Sequence, residues 1–211
     1  GQNPASRIYP SGVLVCCPNL TVKERLQVVR PEVPGNYYEE FDLVPLKYRP
    51  MLQAGKVLVT NWHQLAEESE HVEDGRSWAV VNKGAETPET FAPRVLGELH
   101  ERLPIMVLND EGHHCWRPAP SPESLATEEF KAPEEEREEA RVWLTGLDCI
   151  NNATPDPTRE PGIACCVDFS ATPFYIQGSG HPEGRPFPWV VSDFGLVDAI
   201  ESGIVKIPRL P

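Results

Sequence analysis

The stretch PIMVLNDEGHH, residues 104–114 of this 211-residue chain, has the pattern of a buried strand that ends in a polar turn. Ile105 to Leu108 are consecutive apolar residues, the pattern of a short strand that is buried on both faces. The run stops at Asp110 and Glu111, which precede a glycine and two histidines. In an open parallel α/β sheet, ligands bind beyond the carboxyl ends of the strands, so these side chains are site candidates. One carboxylate can hold Mg²⁺ through its water shell while the next polarises an attacking water.

The charge and hydropathy of the chain limit the possible function classes. A formal net charge of −13 argues against a free-standing, strongly basic nucleic-acid binder. It leaves open a motor that grips a phosphate backbone mainly through main-chain amides. No apolar run approaches the roughly 20 residues that span a bilayer, and no basic-then-apolar leader opens the chain. We therefore expect a soluble, cytoplasmic protein with no membrane partner, most simply a single domain.

The six cysteines favour a structural role. No Cys-x-x-Cys pair is present, which argues against a zinc ribbon or a thioredoxin-type motif. The vicinal pairs Cys16-Cys17 and Cys165-Cys166 lie inside apolar runs, where a reduced cysteine behaves as a small hydrophobic residue. We predict that both pairs are buried thiols.

Buried strands are predicted at three further apolar runs: Val13–Cys17, Lys56–Thr60 and Ile163–Phe169. Weaker strand patterns occur at Phe41–Leu46 and Trp78–Val81. Helical spacing of apolar residues predicts helices between these strands, at residues 22–29, 88–102, 133–151 and 194–202. Thr21, with Glu24 as a capping box, is expected to cap the first helix, and Asp193 the last. This alternation predicts a mainly parallel α/β sheet with flanking helices.

The four predicted buried strands each end in a polar cluster. The clusters are Pro18-Asn19-Leu20-Thr21, Thr60-Asn61-Trp62, Asp110-Glu111-Gly112-His113 and Ser170-Ala171-Thr172. If the strands are parallel, all four clusters lie along one rim of the sheet, where a doubly wound sheet binds a nucleotide. Some of these residues also have simpler explanations. Thr21 can serve only as a helix cap, Trp62 as packing, His63 and His114 as satisfied polar side chains, and Ser170 and Thr172 as turn formers.

The order and spacing of the clusters resemble the first RecA-like motor domain of superfamily 2 helicases of the DEAD/DEAH type. Residues 13–26 resemble motif Ia, residues 57–65 motif Ib, Asp110-Glu111-Gly112-His113 motif II, and Ser170-Ala171-Thr172 motif III. The phrases CCPNLTVKERLQVV, VLVTNWHQL, VLNDEGHHCWRP, DFSATPFY and VVSDFGLVDAIESGIVKIPR are similar to the helicase-bearing Res subunit of type III restriction enzymes. The resemblance implies a partial first motor domain over residues 1–190. Residues 191–211 would then be a helix and linker leading towards a second motor domain.

The resemblance also implies roles for individual residues. Asp110 would hold Mg²⁺, and Glu111 would activate the water that attacks the γ-phosphate of ATP. His113, Ser170 and Thr172 would link the nucleotide state to the grip on DNA. The residues implied to line the path of one DNA backbone, without sequence readout, are Pro18, Asn19, Thr21, Thr60 and Asn61. The implied partners are DNA, a second motor domain and a modification methyltransferase subunit.

A phosphate loop of the form Gly-x-x-x-x-Gly-Lys-Ser/Thr is absent from the 211 residues. In the family that loop precedes motif Ia, so we expect it before Gly1, with the second motor domain after Pro211. The chain would then be a fragment of an ATP-dependent DNA translocase subunit that does not hydrolyse ATP alone. One alternative is a degraded motor domain that serves as an interaction module. Another is a metal-dependent hydrolase that uses Asp110, Glu111, His113 and His114, although these residues do not have the His-Glu-x-x-His spacing of a zinc site.

Overall fold

Four parallel strands form the sheet at the centre of the protein. The computed structural model describes residues 9–66, 86–117, 134–153, 161–175, 179 and 181–206. The strands are β1 (Gly12–Cys17), β2 (Lys56–Asn61), β3 (Ile105–Asp110) and β4 (Ile163–Phe169), in the spatial order β2-β1-β3-β4. Every adjacent pair is parallel. The predicted parallel α/β sheet is therefore confirmed, and its architecture is compatible with a RecA-like fold.

Short helices connect the strands. After β1 come α1 (Leu20–Arg25), continued by a 3₁₀ turn at Leu26–Val29, and then α2 (Tyr37–Glu40) and α3 (Arg49–Gln53). A 3₁₀ turn at Leu46–Tyr48 precedes α3, and another at Trp62–Leu65 follows β2. The chain continues through α4 (Pro88–Leu96), a 3₁₀ segment at Gly97–Arg102, β3, a 3₁₀ turn at Gly112–His114, and α5 (Glu134–Asn151). The last helix is α6 (Leu196–Glu201).

The core lies between the middle strands and the two longer helices, α4 and α5. Trp143 and Ile150 of α5 and Phe91 of α4 are almost fully buried against Leu14 of β1 and Val107 of β3. Their spacing is the helical period that predicted both helices from the sequence. Burial of such side chains stabilises the fold by about 1.5–3 kcal/mol each relative to leaving them exposed.

Strand β4 differs from the prediction that it is buried. From Ala164 to Phe169 its residues are exposed, with Val167 at 37% and Phe169 at 54% of their maximal accessible surface. Among the described strands, β4 pairs only with β3 and forms an edge of the sheet. Cys165 and Cys166 are exposed with it, so only the first vicinal pair, Cys16-Cys17, is buried as predicted.

The predicted strand at residues 41–46 is wrong. Asn36 caps α2 by accepting a hydrogen bond from the Glu39 amide at 3.2 Å, and the helix carries the chain to Phe41. Asp42 then adopts a left-handed conformation with φ 49°, which no extended strand allows. The weaker strand predicted at residues 78–81 lies outside the described residues.

Two helix caps were also assigned to the wrong residue. Helix α1 is capped by Asn19, whose Oδ1 accepts a hydrogen bond from the Val22 amide at 3.0 Å, instead of by Thr21. The extended backbone of Asn19, with φ −151° and ψ 171°, places its side chain over the first turn. Helix α6 begins after Gly195, whose amide donates to the Asp198 carboxylate at 2.8 Å, so Asp193 lies too early to cap it.

Candidate functional site

The parallel strands bring their carboxyl ends to one rim of the sheet, as the sequence predicts. Cys17 at the end of β1 pairs in register with Asn61 at the end of β2. On the other side of β1, Cys16 pairs with Asn109 of β3, and Asp110 pairs with Phe169 of β4. The predicted site residues that follow these strands therefore share a rim, although they come from distant parts of the chain.

The turn after β3 positions the two adjacent carboxylates. Glu111 has φ 54° and ψ 44°, a left-handed backbone that costs a non-glycine residue about 1–2 kcal/mol. Main-chain bonds from the His114 amide to the Glu111 carbonyl and from the Cys115 amide to the Gly112 carbonyl, both 3.0 Å, hold the turn in this form. Such local strain is concentrated at functional sites, and the Glu111 side chain at this turn is half-exposed.

The local environment shifts two ionisable groups towards their neutral forms. Burial, followed by the negative charge of Glu111, raises the pKa of Asp110 above its ordinary value. Burial and the neighbouring His114 lower the pKa of His113, and Glu111 only partly opposes this shift. Within the described residues no cationic side chain forms an ion pair with Asp110. A carboxylate of this kind suits a divalent cation.

His113 joins the turn to the segment that follows β4. Its Nδ1 atom lies 2.9 Å from the Ser170 hydroxyl and 3.3 Å from Oε2 of Glu111. Ser170 Oγ also accepts a hydrogen bond from the Thr172 amide at 2.9 Å. The structure thus brings together His113 and Ser170 as side chains, whereas Thr172 takes part through its main chain.

The residues predicted to contact a nucleic-acid backbone differ in solvent exposure. Asn19 and Thr21 are exposed, and Pro18 is half-buried. Thr60 and Asn61 are buried, at 5% and 3% exposure. The rim therefore presents exposed side chains after β1 and buried side chains at the end of β2.

Asn61 forms a local network with its neighbours. The Asn61 Nδ2 atom lies 3.1 Å from His63 Nδ1, and the ring of His63 stacks on Trp62 at 3.8 Å between centroids. The Oδ1 atom of Asn61 is buried without a hydrogen-bond partner in the described part of the chain. The Cys17 thiol donates to the Thr60 carbonyl at 3.0 Å, which ties the ends of β1 and β2 together.

Sequence reasoning missed a buried polar network directly beneath the carboxylates. Asn109, only 1% exposed, donates from Nδ2 to Asp168 Oδ1 at 2.7 Å and accepts from Trp143 Nε1 at 3.1 Å. The available signal was an asparagine in an otherwise apolar strand, because a buried amide needs partners.

The metal-hydrolase alternative finds no support in the geometry. Among the described residues no group of three or more His, Cys, Asp or Glu side chains is arranged to hold a metal ion. His114 instead faces Glu139 of α5, with 3.5 Å between Nδ1 and Oε2, and its ring lies 4.2 Å from that of His113. The two histidines therefore make protein contacts at this rim.

Comparison with known proteins identifies no relative: no family model, no curated protein and no solved structure matches the chain. In the described residues, moreover, no helix has the length and apolar character needed to cross a membrane.

Proposed function

We propose that this chain is part of the first motor domain of an ATP-dependent DNA translocase or helicase, of the kind found in type III restriction-like systems. The observation that supports the proposal is the arrangement at the rim. The Asp110-Glu111 pair follows an interior parallel strand, and His113 connects it directly to Ser170 after the neighbouring strand. The sequence order of these residues is that of motifs II and III.

The side chains at the rim suit ATP with Mg²⁺. Asp110 forms no ion pair with a cationic side chain among the described residues, and its pKa is raised. A hard divalent cation would stabilise the ionised carboxylate and so lower this pKa. Glu111 is half-exposed and beside it, where a carboxylate can orient a water and accept its proton. Bound Mg²⁺ would supply charge neutralisation to the phosphates. The protein's own residues would hold the cation and orient the water. His113 would transmit the change of nucleotide state to Ser170.

DNA would contact the exposed turn at residues 18–21. Its main-chain amides at the start of α1 suit phosphate contacts that carry no sequence readout. The whole parent protein would add a phosphate loop, a second motor domain and a modification methyltransferase partner.

The test is a Glu111→Gln substitution in a parent protein that carries a phosphate loop. ATP turnover should fall by about 10²–10⁴-fold because the general base is lost, while ATP binding persists. Glu101→Gln, on the exposed 3₁₀ segment after α4, is the matched control and should retain turnover. Unchanged turnover in Glu111→Gln would remove Glu111 from this role. The 211-residue chain alone should show no DNA-stimulated ATPase activity, and a robust activity would contradict the fragment hypothesis.

The exposed β4 favours a second candidate, a motor-derived module that binds a partner without hydrolysing ATP. Apolar side chains of β4 and of residues 189–197 are accessible, including Trp189 at 92% and Val191 at 96%. Exposed apolar surface of this kind marks interaction sites. The parent reading frame discriminates the two candidates, since an upstream phosphate loop supports the motor and its absence supports the module.

A further inference from the structure

The amide of Asn109 bridges three elements of the fold. Trp143 Nε1 on α5 donates to its Oδ1 at 3.1 Å, and its Nδ2 donates to Asp168 Oδ1 on β4 at 2.7 Å. Nδ2 also lies 3.2 Å from the sulfur of Cys166. Because an indole N–H can only donate and a carboxylate can only accept, the partners fix the orientation of the amide. Asn109 thus makes hydrogen bonds from both ends of its side chain.

Asp168 extends this bridge to the turn above it. A Cβ atom on Gly112 would lie 2.5 Å from the Cβ of Asp168, so the turn and β4 approach as closely as a glycine allows. One residue earlier is Glu111, and one residue later is His113, whose Nδ1 lies 2.9 Å from Ser170 Oγ. Two links between β3 and β4 therefore flank the turn, Asn109–Asp168 below it and His113–Ser170 above it.

We propose that Asn109 and Asp168 are positioning residues, which form a clamp that holds the β3 turn against β4 and so fixes His113 at hydrogen-bonding distance from Ser170. The clamp acts through the spacing of the strands and touches no substrate. The proposal concerns the turn itself and stands whether or not the proposed motor function is correct.

The buried position makes the clamp effective. Asn109 is buried next to the fully buried Trp143, so water does not compete for the Trp143–Asn109 hydrogen bond, and the Asn109–Asp168 hydrogen bond is partly shielded from solvent. Loss of the amide would leave the Trp143 N–H without a partner and would free the Asp168 carboxylate to turn to solvent. The close contact between Gly112 and Asp168 would then relax, and the turn would no longer be held in register with Ser170.

The test measures the His113–Ser170 hydrogen bond by ¹⁵N NMR of the imidazole in the 211-residue chain. The signal is the change in the His113 Nδ1 resonance that Ser170→Ala causes, at a pH where the ring is neutral. His113→Gln assigns the resonance, because its signal is the one that disappears. We expect this change in the wild-type background and its loss in Asn109→Leu, which removes both hydrogen bonds of the clamp without adding charge.

A swapped pair provides the rescue. In the double variant Asn109→Asp/Asp168→Asn, the carboxylate introduced at position 109 accepts from Trp143 and from the new amide at position 168. The bridge is thereby rebuilt with the same total charge. This variant should recover the response to Ser170→Ala. Leu147→Ala, in the core on the same helix as Trp143, is the control for lost stability and should keep the response.

Several outcomes overturn the clamp. A full response in folded Asn109→Leu would show that Asn109 only stabilises the fold, and a swapped pair that folds without recovering the response would show the same. If Asn109→Leu does not fold, Asp168→Ala replaces it, because Asp168 is exposed and this substitution removes the acceptor while keeping the Cβ atom next to Gly112. None of these measurements involves ATP, so a failure of the proposed motor function would leave them unchanged.

Discussion

Strands β1 and β4 carry similar sequences in different surroundings. Each is a short apolar run with a vicinal cysteine pair, VLVCC in one and IACCV in the other. In β1, Cys16 and Cys17 are completely buried, whereas in β4 Cys165 and Cys166 are exposed. The difference comes from what covers each strand: side chains of α4 and α5 pack against Leu14 and Cys16 of β1, whereas in the described residues only Ile163 of β4 packs against this core. Composition therefore identifies a strand, and its neighbours decide its burial.

The largest expected difference is in thiol reactivity. Burial raises the pKa of Cys17 to about 11 and also raises that of Cys16, and both thiols are inaccessible. At about pH 8, iodoacetamide should label Cys165 in the native protein, whereas Cys16 and Cys17 should react only through unfolding. For a stability of about 5 kcal/mol, the rates should differ by about 10³-fold or more. Mass spectrometry of the labelled peptides measures the rates.

Cys166 provides an internal check on this experiment. The residue is exposed as a whole, but its sulfur lies against Asn109, and burial of the thiol raises its pKa to about 12. Cys165→Ser should therefore remove most of the fast labelling. Rapid labelling of Cys16 in the native protein would show that β1 is not the protected interior strand described here.

The next largest effect concerns the packing of the two strands. Leu14→Ala on β1 should lower the free energy of unfolding by about 2–5 kcal/mol, because the fully buried side chain leaves a cavity. Val167→Ala on β4 is the matched control, and its partly exposed side chain should cost less than about 1 kcal/mol. Urea unfolding followed by circular dichroism measures both values. Equal losses would mean that β4 is buried under the conditions of the measurement.

The contact between the β3 turn and β4 should show a smaller effect. Gly112→Ala places a Cβ 2.5 Å from the Cβ of Asp168, and the resulting overpacking should cost about 1–3 kcal/mol. At Gly195 the nearest atom to an added Cβ is the Asp198 carboxylate oxygen at 3.3 Å, so Gly195→Ala should cost less than about 1 kcal/mol. Thermal unfolding of the two variants compares them. A neutral Gly112→Ala would mean that the strands can separate freely at this point.

The smallest effect distinguishes two carboxylates on neighbouring strands. The pKa of Asp110 is raised, so the folded protein binds this proton more tightly than the unfolded chain does. Its ionised form therefore destabilises the fold at about pH 7, and Asp110→Asn should stabilise by less than about 1 kcal/mol. The gain should disappear as the pH falls below the ordinary pKa of an aspartate. Denaturant titrations at several pH values measure it.

Asp168→Asn is the comparison for this variant. Asp168 accepts a hydrogen bond from buried Asn109, and replacing the charged acceptor by a neutral one should destabilise by about 1 kcal/mol. Opposite signs for the changes in stability would show that the Asp110 carboxylate destabilises the fold and that the Asp168 carboxylate stabilises it. A loss of stability in Asp110→Asn would contradict the assigned pKa direction.

The sequence predicts the strands well and their surroundings poorly. Strands β1, β2 and β3 begin and end close to the predicted residues, because each apolar run stops at polar residues. The edge position of β4 depends on which strands lie beside it, and this information is not local. Thr21 and Asn19 are both good capping residues, and only the backbone conformation decides between them.

For the candidate site, the sequence predicts which residues lie together at the rim of the sheet, but it does not predict the side-chain contacts that hold them there. Parallel strands place Asp110 and Ser170 on one rim, and this follows from their positions at strand ends. The Asn109–Asp168 pairing depends on register, which shifts at a bulge between Ile105 and Met106. No local sequence pattern predicts a register shift of this kind, so the side-chain contacts between β3 and β4 were not predictable.

The hydrogen bond from Trp143 to Asn109 makes the indole an optical probe of the rim. Trp143 is fully buried, whereas Trp189 is 92% exposed, so iodide in solution quenches the second and spares the first. Trp116 is also buried, at 6% exposure, so a variant in which the other four of the five tryptophans are replaced by Phe isolates the emission of the Trp143 indole, whose N–H is bonded. A change in its wavelength on adding a ligand would report, without any label, that the strands beneath the carboxylates have moved.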